Sequence, residues 1–181
     1  KKLTQMNSRY IIVILCLFFI SCSSEKKKKV SSIKKEKIIV PEFNADSAYY
    51  FVQTQVDFGP RVLSSIGWKD CAIYLEKKLS SYCPNVSVQE SKIITYDKKS
   101  HTLKNIIGSF SPEKNNRIAL FAHWDTRPVA DHDIENQETP ILGANDGGSG
   151  VGLLLEIARQ FKISPPKIGV DIIFFDAEDY G

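Results

Sequence analysis

Two short apolar runs with an amphipathic segment between them constrain the fold of this chain more than any other feature. Residues 118–122 and 169–175 are almost continuously apolar, as expected of β-strands that are covered on both faces. Residues 148–162 form one apolar stripe at helical spacing, made of Val151, Leu154, Leu155, Ala158 and Phe161. A strand, a loop, a helix and a second buried strand form a parallel crossover unit. The predicted fold class is therefore α/β, with a mostly parallel central sheet and helices on both faces.

Two further helices and three strands are predicted upstream. Asn44 or Asp46 can cap a first helix that runs to about residue 57, with Tyr49, Val52 and Val56 on one face. The second covers residues 68–82, and its apolar stripe consists of Trp68, Cys71, Ala72, Leu75, Leu79 and Tyr82. Residues 86–96, 102–110 and 117–122 are rich in β-forming types, and turn-forming residues separate them.

The cysteines do not predict a disulfide framework. Four Cys at irregular spacing are too few for a disulfide scaffold or a structural zinc finger. On a continuous helix, Cys71 and Cys83 would lie about 18 Å apart along the axis, at 1.5 Å per residue. A bridged pair of Cα atoms is separated by less than about 7 Å, so no disulfide is expected between them.

The N-terminal region resembles the targeting segment of a bacterial lipoprotein. Residues 10–20 are apolar but too short to span a bilayer, and Ser21-Cys22 resembles the lipobox, whose Cys is lipidated and begins the mature chain. An ordinary signal peptide and a short uncleaved anchor are the alternatives. We expect upstream residues and a lipoprotein signal peptide over 1–21 and a Lys-rich tether over 22–37. The protein would then face the periplasm of a bacterial cell envelope, anchored to a membrane through Cys22.

Charge is divided unevenly between this region and the rest of the chain. Residues 1–37 carry ten Lys and Arg against two acidic residues, which leaves 14 − 19 = −5 for residues 38–181. A domain that binds nucleic acid needs a basic face to neutralise phosphates. The composition of residues 38–181 therefore argues against nucleic-acid binding.

Polar clusters follow both apolar strands and precede the intervening helix. They contain His123 and Asp125 after the first strand, Asp146 before the helix, and Glu178 and Asp179 after the second strand. In open α/β sheets, ligands bind beyond the carboxyl ends of the strands, so these side chains are expected at one edge. Four carboxylates and an imidazole would need a compensating cation, and zinc suits His with Asp or Glu. The sequence therefore predicts a metal site.

Three ordered motifs resemble those of zinc-dependent glutaminyl cyclases. These are Ala-His-Trp-Asp-Thr-Arg-Pro at 122–128, Pro-Ile-Leu-Gly-Ala-Asn-Asp-Gly-Gly-Ser-Gly at 140–150 and Phe-Asp-Ala-Glu-Asp-Tyr-Gly at 175–181. Asp-Phe-Gly-Pro-Arg at 57–61 also fits. The resemblance covers roughly residues 44–181 and is to the animal-type enzymes that occur in Bacteroidetes-like bacteria, within the zinc aminopeptidase superfamily. It implies a zinc aminopeptidase-like fold.

The resemblance also implies roles for individual residues. Asp146 and Asp179 would coordinate zinc, with Asp179 in place of the Glu that is more common there, and Glu178 would be the general acid/base. His123 would lie beside the zinc or bind a second one, and Asp125 would orient it. The implied activity is conversion of an N-terminal glutamine of a peptide or protein to pyroglutamate, with release of ammonia. One zinc is expected for this reaction.

Two other functions use the same residues. A two-zinc aminopeptidase would hydrolyse N-terminal peptide bonds with the same carboxylates, and a non-catalytic lipoprotein would only bind peptides. The cyclase pattern also requires a later zinc-ligand His, and neither His101 nor His132 fits that position. We therefore expect residues 38–181 to be the N-terminal part of a longer catalytic domain, inactive on its own.

Overall fold

Residues 40–180 are described by the structure, a computed structural model. The predicted signal segment, Cys22 and the Lys-rich tether lie outside the described residues, and so those predictions are untested. None of the described helices is both long and apolar enough to cross a membrane. The described part begins just before the first predicted helix.

Helix α1 (Ala45–Asp57) begins where the sequence predicts, because the side chain of Asn44 caps it by accepting a hydrogen bond from the backbone N–H of Ser47 at 2.8 Å. Its buried residues are Phe51 and Gln55. Of the three residues predicted to share one face, Val52 and Val56 are half-buried, whereas Tyr49 is 71% exposed. The backbone at Gly59 has a positive φ and ends this region in a turn.

Helix α2 (Ile66–Ser80) confirms the second periodic stripe except at Tyr82, which lies beyond its end. Ser65 caps it through the backbone N–H of Trp68, and its buried side chains are those of Trp68, Cys71, Ala72, Leu75 and Leu79. Cys71 and Cys83 are both buried free thiols, and Cys83 lies beyond the end of α2 at Ser80. Burial raises the pKa of the Cys71 thiol to about 12, so this thiol behaves as a small apolar side chain.

Four strands form a mixed sheet in the order β1-β2-β4-β3. Their bounds are β1 (Val86–Ile94), β2 (Ser100–Phe110), β3 (Arg117–His123) and β4 (Gly169–Phe175), and helix α3 (Ser149–Ile163) lies between β3 and β4 in sequence. Strands β3 and β4 pair in parallel, as predicted for the crossover unit. Strand β2 pairs antiparallel with both β1 and β4. The α/β class is confirmed.

The described sheet differs from the predicted one in direction and in coverage. The sequence predicts a mostly parallel sheet, but a short turn joins β1 to β2 and makes them a hairpin, so parallel pairing is limited to β3 and β4. Helix α2 packs on Gly108 through Leu79, and Gly150 of α3 packs on Ala122, which lies on the same face. Helix α1 packs against α3. In residues 40–180, the helices therefore cover one face of the sheet.

The opposite face is open at the strand that the sequence predicts to be buried. Phe121 of β3 is 66% exposed and contacts Phe175 of β4 edge to face, with ring centroids 5.6 Å apart. Strand β3 is an edge strand of the described sheet. The prediction that residues 118–122 are covered on both faces therefore does not hold within the described residues.

The carboxyl ends of β3 and β4 lie side by side, because the two strands are parallel and in register from Arg117 with Gly169 to His123 with Phe175. The backbone N–H of Trp124 extends the ladder by donating to the carbonyl of Phe175 at 2.9 Å. The segments that follow the two strands therefore leave the sheet at the same point.

Candidate metal centre

His123 is the last residue of β3, and the chain turns inward after it. Asp125 is fully buried, and its two carboxylate oxygens accept hydrogen bonds from the backbone N–H groups of Glu178, at 3.2 Å, and Asp179, at 3.1 Å. His123 Nδ1 lies 3.6 Å from Asp125 Oδ1. Asp125 therefore lies beside His123 and also holds the segment that follows β4.

Asp146 lies in a wide turn, Ala144–Gly148, that directly precedes α3. The backbone is not helical at Asp146 (φ −83°, ψ 113°) or at Gly147 (φ 77°). Glycine is needed at position 147 for two reasons. The backbone φ is positive there, and an added Cβ would lie 3.0 Å from His123 Cε1. Asp146 Oδ1 lies 3.1 Å from His123 Nε2. The break in the helix therefore directs this carboxylate to the end of β3.

Glu178 and Asp179 lie in a short 3₁₀ turn, Glu178–Tyr180, after β4. Their surroundings differ, since the side chain of Glu178 is 64% exposed and that of Asp179 is 6% exposed. Asp179 accepts hydrogen bonds from Arg127, at 2.8 Å from its backbone nitrogen and 3.2 Å from its Nε. Asp179 is thus a fixed carboxylate, whereas Glu178 presents its carboxylate to solvent.

His123, Asp146 and Asp179 form the group best suited to a metal ion among the described residues. One ligand atom from each of the three lies within 4.8 Å of the others. One imidazole and two carboxylates are a donor set that zinc accepts. Glu178 Oε2 lies 3.8 Å from His123 Nε2, at the edge of this group. All five residues predicted from the sequence therefore come together, and His123 stands with the two predicted metal ligands.

The electrostatics of this group favour a bound cation. The carboxylates around His123 raise its pKa to about 9, with Asp125 contributing most and Glu178 and Asp146 adding to the shift. A raised imidazole pKa reports an excess of negative charge at the site. A divalent cation would balance that excess and would replace the proton on His123.

A buried cluster of Trp68, Trp124 and Asp176 packs next to the site. Trp68 Nε1 donates to both oxygens of Asp176, at 3.0 and 3.1 Å, and the Trp68 ring stacks on Trp124 with centroids 5.8 Å apart. Burial raises the pKa of Asp176 to about 7, against the opposing effect of the N–H donors of Lys104, Trp68 and Ala177. This cluster fixes the start of the turn that carries Glu178 and Asp179.

A cavity of about 570 Å³ borders Asp146 and is lined by Arg127, Ala130, Asp131, His132, Asp133 and Ile141. The cavity offers space for a ligand beside the carboxylates.

The other two histidines do not belong to the metal-binding group. His132 is an exposed residue of the loop after β3, with a side chain 91% exposed, and His101 Nδ1 is hydrogen-bonded to Ser64 Oγ at 2.9 Å.

Sequence reasoning did not assign roles to two arginines at this site. Arg127 fixes Asp179, and its place in the same motif as His123 and Asp125 was the available signal. Arg61 is fully buried and binds the backbone just before the turn of Asp146. The sequence gives little indication of this role, because the acceptors of Arg61 are backbone carbonyls about 80 residues away.

Comparisons with known proteins identify chains of similar sequence and fold. Residues 105–181 match the model of Peptidase family M28. The structure of Bacteroides thetaiotaomicron glutaminyl cyclase bound to N-acetylhistamine is 56% identical, with a TM-score of 0.77 over 79% of this chain and 50% of that chain. Tannerella forsythia glutaminyl cyclase is 54% identical, with a TM-score of 0.76 over 78% and 49% of the two chains.

A third similar structure carries a different name. A leucine aminopeptidase precursor from Bacteroides thetaiotaomicron is 55% identical, with a TM-score of 0.78 over 80% of this chain and 51% of that chain. This chain thus spans about half the length of each of the three solved proteins. The resemblance to bacterial glutaminyl cyclases, with an M28-type fold, is confirmed.

Proposed function

We propose that this chain, which is more than half identical over its aligned residues to two bacterial glutaminyl cyclases, is part of a zinc-dependent glutaminyl-peptide cyclotransferase. The reaction converts the N-terminal glutamine of a peptide or protein to pyroglutamate and releases ammonia. The observation that carries the proposal is the convergence of His123, Asp146 and Asp179 within 4.8 Å, with Glu178 beside them, on that fold.

Asp146, Asp179 and His123 are the side chains that would hold zinc, because their donor atoms converge and their negative charge exceeds their positive charge. The two hydrogen bonds from Arg127 to Asp179 leave lone pairs on that carboxylate, since an ionised carboxylate offers about four acceptor sites. Zinc in this position would supply Lewis-acid polarisation of the side-chain amide carbonyl. One ion is proposed for the cyclase.

Glu178 is the proposed general acid/base. Its carboxylate is exposed and adjacent to the metal group, so it can take a proton from the attacking α-amine and return one to the departing ammonia. A bond forms between the α-nitrogen and the amide carbon while the bond from that carbon to the amide nitrogen breaks. The reaction needs no external nucleophile, and holding the amine about 3–3.5 Å from the carbon contributes much of the rate.

An aminopeptidase is the second candidate function. The observation that favours it is the similar structure named a leucine aminopeptidase precursor. The same carboxylates would serve a two-zinc site in which Glu178 activates water against an N-terminal peptide bond. His123 would then hold the second ion, with Asp125 orienting it.

One assay on the full-length protein separates these two functions. A Gln-initiated peptide and a Leu-initiated peptide are each incubated with zinc-loaded protein, and the products are weighed by mass spectrometry. The cyclase converts only the first peptide, with loss of one ammonia per molecule. Release of free leucine from the second peptide would establish the aminopeptidase instead, and zinc content near two per chain would agree with it.

Membrane anchoring is a further part of the proposal. The apolar run at 10–20 followed by Ser21-Cys22 supports lipidation of Cys22 and attachment to a bacterial envelope membrane on its periplasmic side. Metabolic labelling with a palmitate analogue tests this: the wild-type protein should incorporate label and Cys22→Ser should not. An unlabelled wild-type protein would refute the anchor.

A further inference from the structure

Arg61 is a fully buried arginine whose side chain reaches the segment in front of Asp146. Its Nη1 donates to the carbonyl oxygen of Leu142, and its Nη2 donates to that of Gly143 at 2.9 Å. Burial lowers the pKa of this guanidinium, and the charge of Asp125 is among the influences that oppose the shift. Arginine remains protonated in proteins, so a positive charge is retained in the interior here.

The hydrogen bonds of Arg61 join two segments of the site. Leu142 and Gly143 immediately precede the wide turn Ala144–Gly148 that carries Asp146. The backbone carbonyl of Arg61 accepts a hydrogen bond from the N–H of Thr126, at 3.2 Å, one residue after Asp125. One residue therefore contacts both the segment that leads to Asp146 and the segment that carries Asp125.

Close packing limits how far these segments can shift. Gly143 has a φ of 56°, and an added Cβ would lie 2.4 Å from Thr126 Cγ2 and 3.1 Å from Arg61 Nη2. The carbonyl of Gly143 also accepts the N–H of Gly148 at 3.1 Å, which closes the wide turn. At the other end of the turn, Gln55 Nε2 donates to the carbonyl of Gly148 at 3.1 Å. Arg61 and Gln55 thus hold the two ends of the turn.

We propose that Arg61 is a positioning residue for the metal centre, setting the backbone at 142–143 so that the Asp146 carboxylate meets His123 and Asp179. The inference rests on the proposed zinc site. Lysine would not replace Arg61 fully, because its single ammonium nitrogen cannot reproduce two donors in a fixed planar fork. Residues that orient metal ligands typically contribute about 10–100-fold to metal affinity.

The test compares zinc affinity, measured by competition with a chelating dye, among variants of the full-length protein. Arg61→Met keeps the length of the side chain and removes its donors, and it should weaken zinc binding by about tenfold or more. Arg61→Lys should recover part of the loss. Arg117→Met is the control, because Arg117, like Arg61, donates to a backbone carbonyl, that of Ser111, but its other partner is the Asp171 carboxylate and it contacts no site segment.

The expected pattern is specific to a positioning role. Arg117→Met should lower the melting temperature and leave zinc affinity unchanged, while Arg61→Met should weaken zinc binding and lower kcat more than it raises KM. Zinc affinity of Arg61→Met close to that of the wild type would overturn the inference, as would equal losses in both variants. A wild-type protein that binds no zinc would instead refute the proposed function.

If Arg61→Met does not fold, two milder substitutions, Arg61→Lys and Gln55→Met, test the same inference. Gln55→Met removes the hydrogen bond to Gly148 while keeping a buried unbranched side chain. Folded Arg61→Lys and Gln55→Met should both bind zinc more weakly than Arg117→Met. Wild-type zinc affinity in both folded variants would refute the role of these hydrogen bonds.

Discussion

The buried carboxylate of Asp125 accepts a hydrogen bond from the backbone N–H of Asp179, with 3.1 Å between oxygen and nitrogen. Its other oxygen accepts the N–H of Glu178 at 3.2 Å. The family resemblance implies that Asp125 orients His123, and the structure adds that this residue also fixes the backbone of both proposed functional carboxylates. The segments after β3 and β4 are therefore joined through one side chain.

Asp125→Asn should weaken both stability and zinc binding. An amide has one acceptor oxygen, so its NH₂ group would face one of the two backbone N–H donors and leave a buried donor unsatisfied, at about 1–3 kcal/mol. Chemical unfolding and dye competition measure the two effects. Asp171→Asn is the control, because Asp171 is hydrogen-bonded to Ser109 and Arg117 and lies outside the site. Equal zinc affinity in both variants would contradict this function of Asp125.

Zinc binding should release protons at neutral pH. The surrounding carboxylates raise the pKa of His123 from 6.5 to about 9, so the imidazole is protonated at pH 7 when no metal is bound. Zinc would displace that proton, and affinity should therefore rise with pH until about 9. Titration calorimetry in buffers of different ionisation enthalpy measures the release. His123→Asn should remove most of it, and unchanged release in that variant would contradict the assignment.

The same shift gives the zinc-free protein a pH-dependent stability. A cation whose folded pKa is raised stabilises the fold fully below its unfolded pKa, near 6.5, and this contribution is lost as pH rises through about 9. The free energy of unfolding of the zinc-free protein should therefore fall over that interval. Urea unfolding at several pH values measures it, and the slope should be smaller in His123→Asn. A slope equal to that of the wild type would show that other groups cause it.

Local signals in the sequence were sufficient for the helices and for the five clustered acidic and histidine residues of the site, but not for Arg61 and Arg127. Helix α2 follows its periodic stripe, and α1 is capped by Asn44, one of the two capping residues predicted. His123, Asp146 and Asp179 meet because a parallel strand pair brings their segments to one edge. Such features depend on spacing within a segment or on one topological rule.

Contacts that depend on distant backbone atoms could not be predicted in the same way. Arg61 and Leu142 are 81 residues apart, and a carbonyl acceptor has no residue type to reveal it. The exposure of one face of β3 could not be predicted either, because the apolar pattern of 118–122 does not distinguish an edge strand from a central one. The exposed side of Phe121 is a property of the whole arrangement.

Gly143→Ala should destabilise the protein more than Gly59→Ala, although both glycines have a positive φ. Both Gly143 and Gly59 have positive φ, for which an L-residue costs about 1–2 kcal/mol. An added Cβ at Gly59 meets nothing within 4 Å, whereas at Gly143 it would meet Thr126 Cγ2 at 2.4 Å. Thermal unfolding should show the larger loss for Gly143→Ala, together with weakened zinc binding. Equal melting temperatures would contradict the steric argument.

Glu178→Gln and Asp179→Asn should separate catalysis from metal binding. The exposed Glu178 makes no hydrogen bond through its carboxylate to another described residue, so Glu178→Gln should retain zinc and lose roughly a hundredfold or more in kcat, as expected for loss of a general acid/base. Asp179 is buried and fixed by Arg127. The main effect of Asp179→Asn should therefore be a loss of zinc affinity, and excess zinc should partly restore activity. Zinc content after dialysis and turnover of a Gln-initiated peptide measure the two effects. The reverse pattern, with zinc lost from Glu178→Gln and retained by Asp179→Asn, would exchange the two assignments. The exposed Glu178 carboxylate would then be the ligand, and Asp179 would act only through its hydrogen bonds to Arg127.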